Sequence, residues 1–189
     1  GAFNWLYFLA ALVGGVALHI GTNVINEIYD VRKGIDSITS PRASHAIVEG
    51  KITERDAFRI GFLAFALATV VGLYLVTQRG WPVVALGIIG LIGGYTYTAP
   101  PFQYKYKALG LPLVFLQMGV LMVVGSQYVV AGFFDPRSVI LAIPVGLLVA
   151  AILQGNEWRD ISEDARMGAA TLSTRFGRKV AHYWYVGLV

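Results

Sequence analysis

The chain has 189 residues, of which 56% are hydrophobic and 14% charged, with a mean hydropathy of +0.63. That balance excludes an ordinary water-soluble domain, and the absence of cysteine excludes a disulfide framework or a thiolate metal site. The net charge of +4 would suit nucleic acid, but the basic residues stand beside apolar runs, so membrane-surface charge is the better reading and no nucleic-acid partner is expected.

In chain order, the apolar runs are Phe3 to Ile20, Ile60 to Thr77, Trp81 to Ala99, Leu109 to Phe134 and Val139 to Leu153. Most approach the ~20 residues that a membrane-spanning helix requires. A sixth run, Val180 to Val189, is half that length. The expected fold is therefore an all-α polytopic transmembrane helical bundle, with five complete spans and the start of a sixth, forming a single domain over residues 1–189. Gly80, Pro100 with Pro101, and Asp135-Pro136 punctuate the runs, and Pro144 is expected to kink the fifth. There is no initiator Met and both ends are apolar, so the expectation is a fragment of a longer membrane protein.

Two acidic patches interrupt this pattern, each at the end of an apolar run. In Gln154 to Gly168 the helical period carries on, which stacks Asn156, Asp160 and Asp164 on one face at i, i+4 and i+8. Far upstream, Asn26 and Asp30 repeat the i, i+4 spacing, and Asp36 follows beyond Gly34. A lone pair of acids at such a place is usually a solvated helix end. Two patches in a chain this poor in charge make a functional site the better reading. Placing both patches on one side of the membrane gathers there thirteen of the fifteen Lys and Arg, leaving only Arg79 and Arg137 opposite. By the positive-inside rule that side is cytoplasmic.

An amide oxygen and two or more carboxylates suit a hard divalent cation, Mg²⁺ above all, which leaves its remaining positions to water and phosphate. The candidate metal ligands are Asn26, Asp30 and Asp36 in the first patch and Asn156, Asp160 and Asp164 in the second. The four aspartates are also the candidate catalytic residues. Lys33, Arg42, Lys105, Lys107, Arg159 and Tyr104 lie on the same side and are candidates for contact with a diphosphate; snorkelling at the membrane surface is the plainer alternative for Lys105 and Lys107. Apolar walls beneath such a site would accept a hydrocarbon tail. Tyr95, Tyr97, Tyr104 and Trp158 could face a developing allylic cation. The chemistry this supports is ionisation of an allylic diphosphate and capture by an electron-rich acceptor.

The same residues carry a resemblance. The chain resembles the UbiA superfamily of intramembrane prenyltransferases in Asn26-Glu27-Ile28-Tyr29-Asp30 and in Asp160-Ile161-Ser162-Glu163-Asp164, with Glu27 in place of the usual Asp. The spacing of Asp30, Gly34 and Asp36, the segment Tyr97-Thr98-Ala99-Pro100-Pro101-Phe102 with Lys105, and the run Gly168 to Gly177 are similar to the MenA-type branch, which prenylates 1,4-dihydroxy-2-naphthoate in menaquinone synthesis. The resemblance implies nine transmembrane helices around a chamber, of which this chain would supply the second to the sixth and the start of the seventh. It also implies a Mg²⁺-dependent transferase embedded in the lipid bilayer, with a prenyl diphosphate donor and an aromatic acceptor. Other acceptors known to the superfamily are 4-hydroxybenzoate, a glyceryl phosphate lipid or a tetrapyrrole. The contrasting class is a polytopic membrane protein whose acidic patches only bind cations. Without the other helices, these 189 residues are expected to insert but not to turn over.

Overall fold

The computed structural model describes residues 3–36 and 46–189. The described residues form helices and turns and contain no strand, only an isolated bridge between Lys107 and Ala170. Helix α1 spans Trp5–Arg32, α2 Glu54–Arg79 and α3 Trp81–Thr96. The fourth span is composite: α4 (Gly110–Val114) passes into a π-helical stretch, Phe115–Leu121, and then into α5 (Met122–Ala131). Helices α6 (Arg137–Arg166) and α7 (Leu172–Leu188) complete the chain.

Four of these, α1, α2, Gly110–Ala131 and α6, are long and apolar enough to cross a membrane, and α3 is a shorter apolar helix. This is a multi-pass integral membrane bundle. Its long helices outrun the apolar sequence that nucleates them. At ~1.5 Å per residue, α1 and α6 are about 42 and 45 Å long against a ~30 Å hydrocarbon core. Their last turns must therefore stand in the interface, and those turns carry the two acidic patches.

The direction of each helix follows from which residues touch. Gly21 packs against Phe65 and Gly61 against Ile25, so α2 runs antiparallel to α1. Gly90 faces Leu18 and Gly94 faces Thr22, so α3 runs parallel to α1. Gly119 meets Gly146 while Gly110 meets Leu153 and Glu157, which sets α6 antiparallel to the fourth span. The C-terminal ends of α1, α3 and α6 and the N-terminal ends of α2 and α4 consequently share one end of the bundle. A core of Ile25, Ile28, Ala57, Phe65 and Ala99 lies just below that end. At the opposite end Leu75, Val83 and Val129 form a second cluster. Beside it the guanidinium of Arg79 donates to the Val129 carbonyl at 2.7 Å and covers the Tyr7 ring.

The fourth span and α6 cross at two glycines. A Cβ on Gly119 would overlap the Gly146 backbone, so only glycine lets these two spans approach so closely.

Three expectations are refined. Pro144 lies inside α6 without ending it. The third apolar run is helical only to Thr96, and its last residues, 97–99, form turn and bend ahead of the prolines. The final helix starts at Leu172, inside the polar stretch, and not at Val180. Thr171 and Thr174 form a capping box there, and Gly177, at φ +82°, breaks the helix once before it continues.

Candidate functional site at one end of the bundle

The first patch is built by the way the chain leaves α1. The carbonyl of Asp30 accepts the amides of Ile35 at 2.9 Å and Asp36 at 3.3 Å. Gly34, at φ +71°, supplies the left-handed turn this wrap needs. Asp36 is thereby folded back onto the helix end and is buried, as is Asp30. Asp30 is 1% exposed, an expensive position for an ionised carboxylate unless charged or polar partners reach it. Lys105 Nζ donates to Asp30 Oδ2 at 2.6 Å and to Asn26 Oδ1 at 3.0 Å, and the Tyr106 hydroxyl donates to Asp30 Oδ1 at 2.7 Å.

Those donors come from the short loop between α3 and α4, and the loop is held on all sides. Lys105 N–H donates to the Tyr97 carbonyl at 2.9 Å, and the Gln103 side chain donates to the Thr98 carbonyl. Gln103 and Ala108, at φ +50° and +58°, bracket a 3₁₀ turn over Tyr104–Tyr106. The alternation Tyr-Lys-Tyr-Lys therefore resolves into two directions. Lys105 turns inward and is 13% exposed, whereas Lys107 is exposed and joins the Lys107–Ala170 bridge through its backbone. Tyr104 also turns away from the carboxylates. Its hydroxyl donates to the Gly93 carbonyl at 2.6 Å, with Gln117 at 3.5 Å, so it braces the loop against α3 and the π-helical stretch. Burial pushes this hydroxyl up to about 12.

The second patch occupies the last turns of α6. Asp160 and Asp164 are buried, and Arg159 holds Asp160 with two hydrogen bonds, 2.7 and 2.8 Å. Asn156, expected on their face, is exposed. The buried neighbour is Glu157, whose carboxylate accepts the Ser173 amide at the start of α7. Helical geometry explains the exchange: Glu157 lies about 20° from Asp164 around the axis, and Asn156 about 80°.

Tyr97, just past the end of α3, sets its ring edge-on to that of Tyr104 at 5.2 Å, and Lys105 Nζ stands 5.9 Å from its centroid. Lys33 is exposed and lies over the Tyr106 ring at 4.6 Å. Arg42 falls outside the described residues. Among the described residues, no three His, Asp or Glu side chains are gathered closely enough to enclose a metal ion. The donor set is nonetheless all oxygen, with four buried aspartates at one end, which fits a hard cation.

Sequence reasoning missed Tyr106, Glu157 and Gln154. The fully buried Gln154 donates to Ser173 Oγ and to the Ala181 carbonyl, joining α6 to α7. The helical offset of Glu157 from Asp164 was a usable signal. Nothing in the alternating loop distinguished Tyr106 from Tyr104.

Multi-pass membrane helices with two buried acidic ends at one end of the bundle, and a lysine turned inward there, define this as a polytopic helical membrane protein. The chain belongs to the UbiA prenyltransferase family, whose model matches residues 1–189. It is similar to the 1,4-dihydroxy-2-naphthoate octaprenyltransferase of Bacillus subtilis (strain 168), at 31% identity over 97% of this chain and 63% of that protein. The enzyme of the same name from Mycobacterium tuberculosis is 32% identical over 100% of the chain and 66% of its own length. The UbiA prenyltransferase domain-containing protein 1 of Dictyostelium discoideum is 30% identical, over 98% and 58%. The chain thus spans about three-fifths of the length of these curated relatives.

Proposed function

We propose that residues 1–189 are part of one prenyltransferase domain that moves a polyprenyl group from a prenyl diphosphate to an aromatic acceptor, 1,4-dihydroxy-2-naphthoate in menaquinone synthesis. The observation that carries this reading is that the buried acidic ends of α1 and α6 stand at the same end of the bundle, with Lys105 held at Asp30 and Asn26. The choice of acceptor is supported by the names of the bacterial relatives.

In this reading Asn26, Asp30 and Asp36 would hold Mg²⁺ on the α1 side, and Asp160 and Asp164, with Asn156 at the rim, would hold it on the α6 side. When bound, such ions neutralise a diphosphate leaving group as Lewis acid and template. The chain's own residues do the rest. Lys105 and Arg159 present ammonium and guanidinium donors to diphosphate oxygens, with Lys33, Lys107 and Arg42 adding positive charge at the rim. The Tyr106 hydroxyl and Lys105 fix the direction in which Asp30 points. Tyr104 serves as a brace and not as a diphosphate ligand, because its hydroxyl is committed to Gly93. The apolar helix walls below exclude water and receive the tail. The basic residues concentrated at this end face it to the cytoplasm.

The test is to supply the full-length protein in membranes with labelled prenyl diphosphate, Mg²⁺ and candidate acceptors. Transfer to 1,4-dihydroxy-2-naphthoate that stops on chelation is the expected result. Transfer to 4-hydroxybenzoate, a glyceryl phosphate lipid or a tetrapyrrole instead would reassign the acceptor. Failure with every acceptor, alongside retained cation binding, would favour a cation-binding membrane protein.

A further inference from the structure

Glu157 is the buried carboxylate that the scheme above does not use. It is 6% exposed, and three chain segments converge on it. Its Oε2 accepts the Ser173 amide, in the first turn of α7, at 3.4 Å. One helical turn earlier, Gln154 donates to Ser173 Oγ at 3.1 Å, so α6 grips the first turn of α7 at two points. A carboxylate at a helix N-terminus is held by unpaired amides and by the helix dipole together. Its Oε1 faces the third segment: a Cβ built on Gly110 would stand 3.6 Å from it and 3.8 Å from the Lys105 Cα. Lys105 and Asp164 both lie within electrostatic reach of the carboxylate.

Resting on the prenyltransferase reading, we propose that Glu157 is a positioning residue for the diphosphate: it fixes the Lys105 loop and the start of α7 against the acidic end of α6, and so sets the separation between Lys105 and Asp160 with Asp164. The Lys107–Ala170 bridge joins the same loop to the α6–α7 connection from the other side. The loop is thereby anchored from two directions, at Asp30 through the Lys105 side chain and at the α6–α7 connection through the Lys107 backbone. A shift of about 1 Å in such a group is enough to cost two orders of magnitude in a positioned reaction.

The experiment compares Glu157→Ala, Glu157→Asp and Glu157→Gln in the full-length protein in membranes, measuring kcat and the KM for each substrate separately. Glu157→Ala is expected to raise the KM for prenyl diphosphate about tenfold or more, with the acceptor KM within about twofold of the parent. Glu157→Gln keeps the length and one acceptor oxygen, and should restore the KM to within about threefold. Glu157→Asp withdraws from both Gly110 and Ser173 while keeping the charge, and should fall between them. It also reads the same joint if the alanine variant does not accumulate. An unchanged diphosphate KM in the alanine and aspartate variants overturns the proposal, as does an equal rise in the KM of both substrates, which would mark general loosening. A parent protein that transfers no prenyl group defeats the functional reading instead, and the two failures are thereby distinguishable.

Discussion

Lys105 and Asp30 are seventy-five residues apart in sequence, and Nζ stands 2.6 Å from Oδ2 where the α3–α4 loop folds over the end of α1. Removing one partner of a buried ion pair strands the other, which typically costs ~3–5 kcal/mol. If the lysine is lost, Asp30 keeps the Tyr106 hydroxyl but loses the ammonium that faces it. Lys105→Ala is therefore expected to raise the KM for prenyl diphosphate by roughly two orders of magnitude. Lys107→Ala, whose side chain is exposed, should stay within about threefold. Steady-state kinetics on the two full-length variants makes the comparison, and equal effects would return Lys105 to the role of a surface snorkeller.

Asp30→Asn and Asp160→Asn should each lower kcat by at least about a thousandfold while the protein still inserts, because each removes a carboxylate from a different helix end. Chelation should reproduce the loss in the parent, and Mg²⁺ should reverse it. Glu27→Ala should cost less, since it sits about 100° round the helix from Asn26, the residue that faces Lys105. Prenyl transfer measured against Mg²⁺ concentration separates these cases. A Glu27 variant as impaired as the Asp30 variant would contradict the assigned face.

How much of this was legible beforehand depends on the type of signal. Apolar run length placed most of the helices, although α3 stops at Thr96 ahead of Pro100–Pro101 and the last helix starts at Leu172, and the i, i+4 spacing singled out Asp30, Asp160 and Asp164, which are buried. The inward turn of Lys105 was not legible. It depends on Gln103 and Ala108 adopting left-handed backbone angles, which neither residue type advertises. Asn156 and Glu157 exchanged roles because i, i+4 spacing drifts by about 40° per step, so the third member of a stack leaves the face. The grip of Gln154 on Ser173 and Ala181 joins residues nineteen and twenty-seven positions apart, a separation at which local pattern carries no information.

The Gly119–Gly146 crossing offers a test of the fold independent of activity. Any side chain on Gly119 meets the Gly146 backbone, which has no flexible end to move aside. The two spans would have to separate along their length, at a cost of about 3 kcal/mol or more. Gly119→Val in the full-length protein should thus lower the thermal midpoint in detergent by several degrees and reduce the yield of folded protein. Gly72→Val on α2, where added atoms meet open space, is the control and should leave the midpoint nearly unchanged.

The loop that presents Lys105 should also fail in a defined pH window. The Tyr104 hydroxyl is raised by burial from the ordinary tyrosine value near 10 to about 12. The unfolded chain would release this proton first. Between those two values the folded state holds more protons than the unfolded one, so stability falls as pH rises. The contribution is fully present below about pH 10 and is lost progressively as pH approaches about 12. Tyr106 moves in the same direction, driven by burial and then by Asp30, so neither hydroxyl ionises at neutral pH. Tyr104→Phe removes the titrating group along with its bond to the Gly93 carbonyl. At pH 8 the variant should be less stable than the parent by about 1 kcal/mol, the usual net value of a buried hydrogen bond. By pH 11 the gap should narrow, because the parent alone has begun to lose the stability that its protonated Tyr104 supplies. Thermal midpoints of the full-length parent and variant across pH 8 to about 11 would show the convergence. Parallel curves would mean that Tyr104 ionises as freely in the folded loop as in water.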